Sequence, residues 1–251
     1  MGKVLEAGGW GLLAGSALLV GAVLGYALRI PHRVIASVMA FGAGVLLSAV
    51  SFEMVAEAYD RSGLAPVVIG TVGGAVAYTA GNMVLARRGA RHRKRSGHVR
   101  GQPSEAQQAG SGLALALGAL LDGVPESAVI GVSLTEGGAV SLVTVAAVFI
   151  SNVPEGLSSS AGMRRAGRSR GYVFGLWGAI AAASMFSAVL GYAVVGGLSP
   201  AVVAVVTAIA AGAILAMIAD TMIPEAFEDT HLAIGLIVVS GFLLSFALSH
   251  L

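Results

Sequence analysis

The chain has 251 residues, 56% hydrophobic and only 11% charged, with 36 glycines and no cysteine. Soluble domains carry about a quarter charged residues, so an ordinary globular fold is excluded. The lack of cysteine excludes disulfides, thiolate metal sites and thiol nucleophiles, and a net charge of only +2 hides a very uneven spread of basic residues.

A helix needs roughly 20 mainly apolar residues to cross the hydrocarbon core while satisfying its own backbone. Eight segments qualify: 9–28, 33–56, 64–86, 112–134, 138–161, 172–195, 200–223 and 231–250. The expected fold is therefore an all-α integral membrane protein, an eight-helix bundle forming one domain over 1–251. The first segment is too long for a signal peptide and is followed by Arg29 and Arg33 instead of a small-residue cleavage site. Small-residue spacings such as Gly21 with Gly25 and Gly70 with Gly74 permit close helix approach.

The second span ends in Ser51, Glu53 and Glu57, which read as an entrance funnel or as an interfacial cap. The loop 87–111 holds seven basic residues between Arg87 and Arg100 and reads as a solvated determinant of topology near lipid headgroups. Its His92 and His98 read as surface residues. The fourth span contains Leu-Asp122-Gly123-Val-Pro125-Glu126, and the fifth contains Ile-Ser151-Asn152-Val-Pro154-Glu155-Gly156. Asp122 and Glu126 are four apart, as are Ser151 and Glu155, so each pair shares a helical face. Proline clashes with the carbonyl four residues earlier and frees it, at Leu121 and Ile150 respectively.

Charges at bilayer depth cost about 2.5–3.5 kcal/mol each on insertion scales and usually face a cavity. Three acids on two neighbouring helices, with no Lys or Arg inside the spans to pair them, require a cation: a metal ion or protons. Repulsion between like charges would keep a proton on at least one of them when the site is empty. A third stretch, Asp220-Thr221-Met222-Ile223-Pro224-Glu225 continuing to Glu228 and Asp229, closes the seventh span and reads as an exit vestibule or a solvated helix end.

Cytoplasmic loops of membrane proteins carry excess Lys and Arg. With both termini outside, thirteen of the fifteen Lys and Arg residues fall in cytoplasmic loops, leaving Lys3 and Arg61 outside. The two strongly basic loops divide the helices three, two and three, a grouping that suggests inverted repeats.

On these residues the chain resembles the ZIP (Zrt-, Irt-like protein) family of divalent metal transporters, in particular its bacterial GufA-like branch. The motifs that carry the resemblance are Asp122–Glu126, Ser151–Gly156, Ile223–Glu225, and the second-helix run Phe41 to Ser48 continuing to Ser51-Phe52-Glu53. The resemblance implies a metal site between helices four and five. Asp122 stands where His is usual, Gly123 where Asn is, Ser151 and Asn152 take ligand positions, and Glu126 and Glu155 keep the family's glutamates. In the sixth helix Ser184 stands at a bridging carboxylate's position, and in the seventh Asp220 and Thr221 replace His-Glu. All five histidines sit in loops or at span ends, as His231 and His250 do, so the ligands are oxygens and zinc is favoured less than it would be by imidazole.

The expected function is import of divalent cations (zinc, or manganese, iron or cadmium) across the cell's inner membrane by alternating access. Helices one, four, five and six would move against two, three, seven and eight, as the resemblance implies. The metal ligands would be Asp122, Glu126, Ser151, Asn152, Glu155, Ser184 and Asp220, with Ser51, Glu53, Glu57 and Glu225 along the pathway. The metal is substrate, and no organic cofactor is expected. Membrane lipid is the other partner, nucleic acid is not one, and homodimerisation is left open. No nucleotide-binding motif or nucleophile–base set is present, so an enzyme is not expected. The alternatives are a non-transporting cation-binding relative and a carrier for protons or another small solute.

Overall fold

The structure, a computed structural model, describes residues 2–94, 102–137, 140–195, 197–227 and 233–250. Glu228, Asp229, His231 and His98 lie outside the described residues, as does the side chain of His92.

Among the described residues, apolar sequence with few breakers yields eight long helices: α1 Gly2–Ala27, α2 His32–Ser62, α3 Leu64–Arg87, α4 Ser111–Gly137, α5 Leu142–Arg165, α6 Arg170–Val195, α7 Pro200–Phe227 and α8 Ile234–Leu248. The first seven are long and apolar enough to cross a membrane, while α8 is a shorter apolar helix. Among the described residues there is no strand. Leu5, Ile69 and Leu236 are each more than 70% exposed, an arrangement that suits lipid and not water. The chain is thus a multi-pass membrane protein.

The helix ends follow local chemistry. Pro31 precedes α2, Pro200 opens α7, and the Ser141 hydroxyl accepts the Thr144 N–H at the start of α5. Gly63, at φ 75°, lets α2 turn directly into α3. Pro125 and Pro154 lie inside unbroken helices. Two stretches, Val50–Val55 in α2 and Ile218–Met222 in α7, relax into π-helix, a geometry that often marks functional positions.

Four of the five most extensive helix pairs are α1 with α5, α2 with α8, α3 with α7, and α4 with α6. Helix α1 also packs along α6. At each of the four pairs, glycines on both helices face the partner's backbone. A Cβ on Gly21 or Gly156 would run into a carbonyl across the α1–α5 contact; Gly44 and Gly241, Gly74 and Gly212, and Gly131 and Gly191 do the same at the others. Backbones can approach this closely only without side chains. The result is two groups, α1–α4–α5–α6 and α2–α3–α7–α8, joined chiefly where α2 meets α5 and α4 meets α7. Gly74→Ala should cost about 1–3 kcal/mol through overpacking, read as a lower thermal midpoint in detergent; an unchanged midpoint would mean that the α3–α7 contact is loose.

The connections before α2, before α4 and before α6 meet at one end of the bundle. Arg164 donates to the carbonyls of Tyr26 and Leu28, at 2.7 and 2.8 Å. Arg168 binds Glu105 at 2.8 Å and the Ser111 hydroxyl at 2.7 Å. Glu105 also accepts the N–H groups of Gly110 and Gly112, at 2.5 and 3.1 Å. Arg168 and these two N–H donors hold its carboxyl down, from the usual 4.5 to about 2. A depressed carboxyl stabilises the fold above its unfolded value and loses that contribution as pH falls. Glu105→Gln should therefore melt below the wild type at pH 7, with the gap closing between about pH 4.5 and about pH 2.

Candidate functional site

The four acids Asp122, Glu126, Glu155 and Glu225 are all buried, each no more than 4% exposed. Asp122 and Glu126 project from α4, and Glu155 from the α5 turn that follows Pro154. Nothing in an apolar bundle tolerates such charges unpaired, and the structure supplies partners from an unexpected direction.

After α3, the chain makes a short 3-10 turn over Ala90–His92, and Arg93 and Lys94 then enter the bundle, each only 3% exposed. The Arg93 guanidinium binds both oxygens of Asp122, at 2.7 and 2.8 Å. It also donates to the Tyr78 hydroxyl at 2.8 Å and to Asn82 Oδ1 at 2.7 Å. Tyr78 in turn donates to Asp122 at 2.6 Å. The Lys94 ammonium stands between two carboxylates, 2.9 Å from Glu155 and 3.3 Å from Asp122. Burial opposes both charges, but Asp122 and Glu155 more than offset it, so Arg93 and Lys94 are held protonated above their ordinary ranges.

The turn is clamped from both sides. Ser158 donates to the Lys94 carbonyl and stands 3.2 Å from Glu225. The Gln102 amide donates to the Arg93 carbonyl at 2.7 Å and to that of Ser159 at 3.0 Å. Gly118, one turn before Asp122, makes room for the Arg93 stem: a Cβ there would lie 2.5 Å from Arg93 Cδ.

This corrects two sequence expectations. The acids of α4 and α5 are not without a basic partner, and the loop 87–111 is not wholly solvated. Counting basic residues by span assigns every loop residue to water. It misses a turn that folds back because an unpaired Asp122 costs more than desolvating a bidentate guanidinium.

The other expected ligands are placed variously. Ser151 spends its hydroxyl on the Val148 carbonyl at 3.0 Å, and Asn152 donates to the Ala14 carbonyl of α1 at 3.0 Å. Ser184 is buried on α6, its hydroxyl 4.0 Å from where a Gly123 Cβ would stand. Glu126 Oε1 is buried with no hydrogen-bond partner among the described residues. Asp220 is exposed and lines a cavity of about 20 Å³ with Arg91, Arg93, Lys94, Thr221 and Glu225, room for about one water-sized group. Glu225 also faces His32, 3.8 Å from its Nε2. Among the described residues, no three His, Asp or Glu side chains stand together at the spacing of a metal site.

On the pathway, Glu53 accepts from Ser141 at 3.3 Å and Glu57 pairs with Arg61 at 2.5 Å. Ser51 is exposed and bonds back to the Leu47 carbonyl at 2.7 Å. The residues that sequence reasoning passed over are Tyr78, Asn82, Arg93, Lys94, Gln102, Ser158 and His32. Tyr78 and Asn82 carried a signal, a polar pair four apart in an apolar span. So did the run Ser158-Ser159-Ser160, all three buried.

No family model and no curated protein matches this chain.

Removing one partner of a buried ion pair costs about 3–5 kcal/mol, because the other charge is left uncompensated. Arg93→Leu should therefore unfold at markedly lower temperature, and Arg93→Leu with Asp122→Leu should recover most of the loss. A double variant no better than the single one would show that the pair itself is not what Arg93 contributes.

Proposed function

We propose that the chain is a divalent-cation transporter of the ZIP type. On this reading it sits in the inner membrane with both termini outside and carries zinc, or manganese, iron or cadmium, into the cytoplasm between α4 and α5. The observation that carries the reading is the Lys94 ammonium bridging Asp122 and Glu155: this interior is built to hold positive charge. With Lys94 withdrawn, Glu155, Asp122 and the unpartnered Glu126 offer oxygen ligands in a medium that penalises bare anions. An all-oxygen set suits hard or borderline divalent ions and holds zinc less tightly than imidazole does.

Two further features support it. Basic connections gathered at one end accord with the positive-inside pattern. The grouping of α1, α4, α5 and α6 apart from the other four helices accords with alternating access through a 3-2-3 inverted repeat.

The full pairing of Asp122 with Arg93 favours a second reading, a cation-binding membrane protein that does not transport. Uptake of each metal into reconstituted vesicles separates the two. Transport predicts flux above empty vesicles that falls at least roughly tenfold in Glu126→Gln and Glu155→Gln. Flux indifferent to both substitutions removes the site, and metal-dependent thermal stabilisation without flux favours the second reading.

A further inference from the structure

The two cations of the inserted turn are held in different ways. Arg93 is fixed by Tyr78, Asn82 and both oxygens of Asp122, a planar fork matched to a carboxylate. Lys94 is a compact point charge on a flexible stem, and the ion pairs it makes among the described residues are with two carboxylates. Arg93 and Lys94 together balance Asp122 and Glu155, so the carboxyl left for an entering divalent ion to satisfy is Glu126, whose Oε1 has no hydrogen-bond partner among the described residues.

We propose that Lys94 is a tethered competitor for the cargo: its ammonium occupies the place between Asp122 and Glu155 that a divalent cation must take, and Arg93 anchors it there. This rests on the transport reading and adds to it a residue that sets affinity and selectivity. An entering ion gains Glu155 and Glu126 only by displacing Lys94, so ions too weakly attracted to carboxylates to outcompete an ammonium are refused. Asp122 keeps its bonds to Arg93 and offers the ion only the Oδ2 edge that Lys94 now faces. The cavity beside Arg93, Lys94, Asp220 and Glu225 gives the displaced ammonium acidic groups to move toward.

The chain has only two lysines, Lys3 and Lys94, so amine labelling reads the turn directly. Lys3, 43% exposed, is the internal reference beside Lys94 at 3%. In detergent-solubilised full-length protein, a water-soluble acylating reagent followed by mass spectrometry should modify Lys3 readily and Lys94 at least tenfold more slowly. Saturating cadmium should raise the Lys94 rate toward that of Lys3. Calorimetry should show cadmium binding about tenfold tighter to Lys94→Gln, the factor expected if the site is free of its competitor only a tenth of the time. Gly118→Leu crowds the Arg93 stem without altering any charge, and it should both expose Lys94 and tighten binding.

Lys94 that stays protected while cadmium binds, or binding unchanged in Lys94→Gln and Gly118→Leu but lost in Glu155→Gln, overturns the competitor and leaves the metal site standing. No binding to any of these proteins overturns both. A misfolded Lys94→Gln leaves the wild-type labelling to decide.

Discussion

A carboxylate inside an apolar bundle must find a positive partner or give up its charge, because the low-dielectric interior repays almost nothing for an unpaired ion. Asp122 meets that demand with Arg93, and much of the local architecture follows. The guanidinium needs a path into the bundle, so α4 carries Gly118 rather than a side chain one turn earlier. Its remaining N–H groups need acceptors, so α3 presents Tyr78 and Asn82 on one face. The turn that delivers it exposes carbonyls, which Gln102 and Ser158 satisfy. Each polar group in the cluster is there because another one is.

The surrounding helices solve a different problem. Lipid is as apolar as leucine, so burying hydrophobic surface gives no reason for one helix to prefer another to the membrane. Close backbone packing supplies the preference. Paired glycines at four interfaces bring backbones together where any side chain would collide, and large apolar residues such as Leu5, Ile69 and Leu236 face outward.

The architecture was largely legible in the sequence, since twenty-residue apolar runs admit few alternatives. The fold has helices where they were expected, with ends shifted by up to seven residues, and the eighth, Ile234–Leu248, is shorter than the span expected over 231–250. Helix α2 runs on to Ser62, beyond the expected end at 56, because its acids sit in and after a π-helical stretch that keeps the helix going. The Val-Pro-Glu repeats correctly marked α4 and α5 as bearing buried acids. What the sequence did not reveal was which charge answers them. Arg93 and Lys94 look identical to their neighbours in a run of basic loop residues, and only the folded path of that loop separates them. Ser151, marked by its spacing to Glu155 and by the resemblance, and Asn152, marked by the resemblance, bond to the Val148 and Ala14 carbonyls.

The position of Arg93 has a mechanical consequence. Tyr78 and Asn82 belong to α3, in one helix group, whereas Asp122 belongs to α4, in the other. The guanidinium is therefore a polar rivet through the seam between two bodies that otherwise meet through helix packing, chiefly of α2 on α5 and α4 on α7. Any relative sliding of α3 along α4 must either carry the arginine with one side or shear its bonds to the other.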